Sequence, residues 1–267
     1  MTHHVNHSGG FFNLHSLVDF LLFLPFLLAM GIYITAVVVL ARRKKGIWPI
    51  YRSILWVVGV SSALSAVSGP IASKAHIDFT FHMLGHLLLG MLAPLLMVLA
   101  APMSLIMRTL HVAQARRLSY ILRSRIVCLV SNPIMAALLH VGGLWILYSS
   151  NLYLVMQKEV LLHLVVHIHI FLAGYLFTAS IIYVDPTPHR KGFLFRAIVL
   201  VCALAGHGIL SKYIYAHPPI GVPSPQAETA GMLMYYGGDV IDLVLIIVFC
   251  FQWYRSSRPF RSFNQSM

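Results

Sequence analysis

Several of the fifteen histidines in this sequence are spaced for metal chemistry. His82 and His86 stand four residues apart in one apolar segment, and His163 and His167 do so in another. Each pair therefore lies on one face of a helix. Imidazole is a ligand for copper, zinc, iron and nickel. With two histidines from other apolar segments, the candidate metal ligands are His82, His86, His163, His167, His140 and His207.

Two other roles stay open for these histidines. Ionisable side chains within apolar segments also form proton relays, and their hydrogen bonds also hold helices together. His169 lies about 200° from His167 around an ideal helix, so we expect it to face elsewhere. The segment from His82 to His86 lacks the glutamate of the His-Glu-x-x-His protease motif, which disfavours zinc proteolysis.

Softer ligands and carboxylates occur close to these histidines in the sequence. Methionines that would favour Cu(I), or simply fill the core, are Met83, Met91, Met97 and Met156. Glu159 stands four residues before His163, and Asp239 and Asp242 stand three apart in the last apolar segment. We expect both aspartates to face the protein interior. Glu159 and Asp239 are the candidates to accept a hydrogen bond from a metal-bound histidine.

The amino terminus suggests a separate copper site. His3 is the third residue, and removal of Met1 would leave His4 third. Either form has the spacing of an amino-terminal Cu(II) clamp. His3 and His4 are therefore candidate ligands apart from the histidines of the apolar segments.

The composition is that of a polytopic membrane protein. Of the 267 residues, 59% are hydrophobic and 10% are charged, which excludes an ordinary soluble enzyme. The three cysteines lie singly in apolar runs, so neither a disulfide framework nor a thiolate metal site is expected. Apolar runs of about 20 residues are long enough to cross a bilayer as helices. The predicted fold is an all-α bundle of seven transmembrane helices at 16–41, 52–73, 80–101, 130–149, 158–182, 194–215 and 228–254.

The basic residues predict how this bundle is oriented. Lysines and arginines between successive spans alternate in number and total 16 on one side against 3 on the other. Basic loops face the cytoplasm, so residues 1–15 form a histidine-rich segment outside and 255–267 a basic cytoplasmic tail. The paired histidines then lie in the outer half of the membrane. The net charge of +12 is explained by orientation and by contact with anionic lipid, partly through a short interfacial helix near 111–117, and not by nucleic acid.

Reporter fusions test this orientation. A reporter that is active only outside the cytoplasm should give a signal when fused after Ser150 or Pro223. Fusions after Lys45 or Lys191 should be silent, because these residues lie in the basic loops. The opposite pattern would place the histidine pairs on the cytoplasmic side.

The ordered motifs resemble the CtaG-like family of cytochrome c oxidase assembly factors, which are polytopic proteins of the bacterial plasma membrane. The resemblance covers the chain from the second span to the seventh. It rests on Phe81-His82-Met83-x-x-His86 with Ala93-Pro94-Leu95-Leu96, Leu144-Trp145, His163-x-x-x-His167-x-His169 with Gly174-Tyr175-Leu176-Phe177, Asp185-Pro186-x-Pro188, Arg196, His207-Gly208 and Ala230-Gly231-Met232-Leu233.

This resemblance implies a non-enzymatic role in the maturation of a haem–copper oxidase. The expected cargo is copper, bound by the histidines within the membrane. The expected partners are oxidase subunits, other copper chaperones and membrane lipid. Two rival functions use the same residues: a transporter that moves copper inward, and a membrane haem protein or oxidoreductase.

Overall fold

The computed structural model describes residues 9–43, 47–187 and 190–257. The candidate clamp at His3 and His4 lies outside these residues. Within them the chain forms helices joined by short connections: α1 (Gly9–Arg42), α2 (Ile50–Val67), α3 (Pro70–Ala75), α4 (Phe79–Leu87), α5 (Ala93–Leu99), α6 (Pro102–Thr109), α7 (Val112–Leu122), α8 (Arg125–Val130), α9 (Pro133–Ala137), α10 (Gly143–Ser149), α11 (Leu152–Lys158), α12 (Val160–Ile181), α13 (Phe193–Ala216) and α14 (Ser224–Ser257). A π-helical turn at Leu88–Leu92 joins α4 to α5, and another at Leu138–Gly142 joins α9 to α10.

The predicted polytopic helical bundle is confirmed. In the described part of the chain, six helical stretches are long and apolar enough to cross a membrane: Phe20–Arg42, Ile50–Ala75, Phe79–Leu99, Val160–Ile181, Phe193–Ala216 and Ser224–Ser257. The fourth predicted span corresponds to Pro133–Ser149, which meets Leu152–Lys158 at a bend of 81°. The bundle therefore has six spans, or seven when this bent pair counts as one.

The second predicted span is interrupted near its end. Gly69 takes a φ of 82°, in the left-handed region that glycine adopts without strain, and Pro70 begins α3. Proline fits the first turn of a helix because that turn leaves backbone N–H groups unpaired. The stretch Ile50–Ala75 still qualifies as one span, and His76 follows α3 just before the helix that carries His82.

The third span is the centre of the bundle, with 67% of its apolar window buried. Its π turn has a local cause. Pro94 has no N–H to donate to the Gly90 carbonyl four residues earlier, and the Ala93 N–H donates to Leu88 O in the wider π pattern. Gly174 of α12 packs directly on the freed Gly90 carbonyl, so closely that a Cβ at Gly174 would overlap its oxygen. Glycine at 174 thus allows α12 to approach the third span.

The connections at the far end of the bundle are held by polar contacts. The Asp185 carboxylate accepts hydrogen bonds from the backbone N–H groups of Met103 (3.1 Å) and Ser104 (2.7 Å), and so caps α6. Arg43 donates to the Thr109 carbonyl at 2.8 Å. The interfacial helix predicted near 111–117 is present as α7, whose contact with lipid stays a prediction.

Candidate metal centre

Four histidines from three parts of the chain surround a small cavity at one end of the bundle. We call His76, His82, His163 and His167 the mouth cluster. The rings of His163 and His167 stack with centres 4.0 Å apart, because the two residues are one turn apart on α12. His76 stacks on His163 at 5.3 Å, and His82 faces His167 at 6.4 Å with the rings nearly perpendicular.

Hydrogen bonds orient two of these rings. Nδ1 of His167 lies 2.9 Å from the His163 carbonyl oxygen. A carbonyl only accepts, so Nδ1 carries the proton and Nε2 of His167 keeps its lone pair. Nε2 of His82 lies 3.1 Å from the Tyr148 hydroxyl, which leaves Nδ1 of His82 for another partner. Metal-binding histidines are commonly held in this way, with one nitrogen tied and the other presented to the metal.

Exposure falls from the mouth of the cavity to its back. His76 is exposed, His163 and His167 are half-buried, and His82 is only 6% exposed. Met156 also lines the cavity, so one of the predicted thioether ligands is present. A ligand that enters past His76 would therefore meet nitrogen and sulfur donors before it reaches His82.

A second pair of histidines lies beyond the mouth cluster. His86 and His207, which we call the deep pair, have ring centres 6.3 Å apart and are 3% and 5% exposed. In the described part of the structure, both ring nitrogens of His86 and Nε2 of His207 are buried without a hydrogen-bond partner. Buried polar atoms without partners are uncommon, and they are places where a bound ligand or water is expected.

The ring contact seen for His140 is with Phe177 and not with another candidate ligand. The His140 ring stacks on Phe177 with centres 5.3 Å apart, and it shares a narrow cavity with Met91 and Asp242. Asp242 is 7% exposed and is the only carboxylate counted as buried among the side chains that the structure describes.

The expectation that Asp239 faces the interior is wrong. Its side chain is exposed. The buried face of α14 includes Met234, Gly238 and Asp242, and Asp239 lies beside this face. The expectation for Asp242 is confirmed. Glu159 is exposed at the amino-terminal end of α12, where its backbone carbonyl accepts from the His163 N–H at 3.0 Å. A role for the Glu159 carboxylate stays a prediction.

His169 faces away from the mouth cluster, as its spacing from His167 predicts. Its Nε2 lies 3.1 Å from the Leu139 carbonyl oxygen and therefore donates to it. The ring fills the place that a Cβ at Gly143 would need. His169 thus joins α12 to the π turn of the fourth span.

Two residues of this region, His76 and Tyr148, were not among the candidates from sequence. His76 follows a break that hydropathy does not locate, and Tyr148 precedes α11 on a helix whose rotation the sequence leaves open. Asp242 was expected to face the interior, but Asp239 was chosen as the candidate hydrogen-bond acceptor. The small residues Ala227, Gly231 and Gly238 on the buried face of α14 were the signal that favoured Asp242.

Within residues 9–43, 47–187 and 190–257, no three His, Cys, Asp or Glu side chains converge as a ready-made metal site. The histidines are grouped in pairs. His82 with His167 and His86 with His207 face each other across different helices, and His76, which follows α3, stacks on His163 of α12.

Comparison with known proteins assigns the chain to a family. The model of the cytochrome c oxidase caa3 assembly factors, Caa3_CtaG, matches residues 31–256, which include every described histidine named above. The chain belongs to this family. The match agrees with the resemblance seen in the ordered motifs, and it covers both the mouth cluster and the deep pair.

Two mycobacterial proteins are similar to this Caa3_CtaG member. "Uncharacterized protein ML1998" of Mycobacterium leprae is 29% identical over 249 residues, which cover 85% of this chain and 38% of the relative. "Uncharacterized protein Mb0105" of Mycobacterium bovis is 31% identical over 173 residues, which cover 62% of this chain and 26% of the relative. The chain thus spans well under half the length of these relatives. No solved structure matches it significantly.

Proposed function

We propose that this protein assists the assembly of a haem–copper cytochrome c oxidase by binding copper at the mouth cluster and passing it to an oxidase subunit. It does so in the bacterial plasma membrane, as a carrier and not as an enzyme. Membership of a family of oxidase assembly factors supports the assembly role. The copper role depends on the histidines.

The observation that carries the copper role is the pairing of His82 with His167. Metal–imidazole bonds are about 2 Å long and a ring nitrogen lies about 1 Å from the ring centre, so two rings that bind one ion from opposite sides have centres about 6 Å apart. The observed 6.4 Å fits one ion between them. Tyr148 and the His163 carbonyl hold the other nitrogen of each ring.

Further donors stand within reach of this pair. Rotation of the His163 side chain would add a third nitrogen, and Met156 lines the same cavity. His76, exposed at the mouth, is suited to receive the ion or to release it. Ligands that engage one after another suit a carrier, because a carrier must also give up its metal. His86, His207 and His140 lie beyond this cluster.

The alternatives predict different outcomes in cells and in purified protein. Deletion of the gene should abolish cytochrome c oxidase activity while cytoplasmic copper stays normal. Loss of cytoplasmic copper together with oxidase activity would indicate inward transport instead. Purified protein should bind at least one copper per chain after incubation with Cu(I). Haem at one per chain, seen as a Soret band, would contradict the copper role.

A further inference from the structure

The deep pair is not needed for a site at the mouth cluster, yet it has the features of a site itself. His86 and His207 come from α4 and α13, and their rings face each other inside the bundle. Three of their four ring nitrogens are buried without partners. Histidines that only pack helices together make hydrogen bonds, as His169 does with Leu139.

We propose that the deep pair is a second and separate site, which binds one monovalent copper ion, Cu(I), between the rings of His86 and His207. This inference rests on the proposed copper function. The chain would then hold two ions in series, one at the mouth cluster and one at the deep pair.

The distance between the two rings fits a shared ion better than a direct contact. Two imidazoles joined by an N–H···N hydrogen bond, with nitrogens about 3 Å apart, have centres about 5 Å apart. Two imidazoles that bind one metal ion from opposite sides, as in two-coordinate Cu(I), have centres about 6 Å apart. The observed distance of 6.3 Å agrees with the second value, and no hydrogen bond joins the rings.

The surroundings favour a monovalent ion. A divalent ion would place two charges in an apolar interior, where the cost of desolvation rises steeply with charge. Zn²⁺ in proteins almost always takes four ligands, whereas Cu(I) is stable with two neutral nitrogens. The one buried carboxylate among the described side chains, Asp242, lines a cavity with His140 and makes no hydrogen bond to either ring nitrogen of His86 or to Nε2 of His207.

Glycines set the position of both rings. A Cβ at Gly238 would come within 2.6 Å of Cε1 of His207, and one at Gly90 within 3.2 Å of His86. Each ring therefore lies against bare backbone. This close packing holds each ring in position, and a site with only two ligands needs both rings held in fixed positions.

Tyr148 separates the deep pair from the mouth cluster. Its hydroxyl contacts His82, and its ring centre lies 6.0 Å from His82 and 6.5 Å from His86. His82 and His86 are one turn apart on α4, so the two proposed ions lie on either side of this tyrosine. The deep pair would retain an ion while the mouth cluster exchanges with the surface.

The test is anaerobic titration of the purified full-length protein in detergent with Cu(I) alone. Metal analysis counts the ions, and X-ray absorption at the copper edge reports the ligands. Wild type should bind two Cu(I). The His82→Ala, His167→Ala double variant should retain one Cu(I) with two nitrogen ligands, and His207→Ala should lose this ion and keep the other.

A matched pair of glycine variants keeps every histidine in place. Gly238→Ala should displace the His207 ring and weaken the deep ion at least tenfold. Gly208→Ala should leave both ions unchanged, because its Cβ would make an ordinary 3.7 Å contact with Tyr235. These variants decide the question if the double variant does not fold, as judged by size-exclusion chromatography.

The outcomes separate this inference from the proposed function. Wild type that binds one Cu(I), and a double variant that binds none, would overturn the deep site and leave the copper function intact. Equal affinities in Gly238→Ala and Gly208→Ala would also overturn it, with a bridging water as the occupant instead. Wild type that binds no copper would refute the proposed function itself.

Discussion

Alanine at His167 is expected to reduce oxidase maturation to the level of the deletion strain and to remove the copper ion bound at the mouth cluster. Nδ1 of His167 is tied to the His163 carbonyl, which leaves Nε2 to bind the ion, and the His167 ring faces that of His82. His82→Ala should have the same effect. The double variant should add little, because residues that share one ligand are not additive. Copper per chain and oxidase activity measure the result.

His169→Ala is the internal control for this prediction. It removes a histidine two residues from His167 but from the opposite side of α12. The variant should bind copper normally and lose about 1 kcal/mol of stability with the hydrogen bond to Leu139. Equal copper loss in His169→Ala and His167→Ala, at equal protein levels, would contradict the assignment of faces. Full maturation in a His163→Ala, His167→Ala variant would exclude α12 from the mechanism.

Alanine at Gly174 is expected to have the largest effect on folding. Its Cβ would overlap the Gly90 carbonyl oxygen, and neither backbone can move without shifting a whole helix. Overpacking of a core costs about 1–3 kcal/mol, and more when backbone must yield. We therefore expect little monodisperse protein in detergent, and a lower midpoint of thermal unfolding for what is recovered.

Gly142→Ala is the matched control for Gly174→Ala. Gly142 also belongs to a membrane helix, but no atom lies within 4 Å of the position that its Cβ would take. It should fold as wild type does. If both variants fold equally well, the close approach of α12 to the π turn is not needed for stability.

Hydropathy was sufficient to locate the spans, because about 20 consecutive apolar residues are a strong signal. It could not reveal the break at Gly69, since α2 and α3 are both apolar and the break depends on one backbone angle. It also could not reveal the π turns. The π turn at Leu88–Leu92 arises from a proline that removes one N–H and from a neighbour, about 80 residues away in the chain, that packs on the freed carbonyl.

The candidate site was predicted in part. Spacing of four residues predicted that His163 and His167 share a face, and they do. The same spacing placed His82 and His86 on one face of a helix, yet His82 faces His167 and His86 faces His207. Successive turns of a central helix meet different neighbours, and helix contacts cannot be deduced from one sequence. The same limit led to the choice of Asp239 over Asp242.

The π turn at Leu88–Leu92 also bears on how this chain can gain or lose residues over evolution. A π turn holds one residue more than an α-helix needs over the same length. Deletion of that residue would restore regular α-helix and leave the rotation of α4 relative to α5 little changed, because the wide turn is what accommodates the extra residue. A one-residue deletion in the regular part of α4 or α5 would instead rotate the residues on either side of it by about 100° relative to each other. A one-residue gap at the π turn of a relative is therefore compatible with the histidine geometry, whereas a gap elsewhere in this span would turn His82 and His86 relative to the rest of the span.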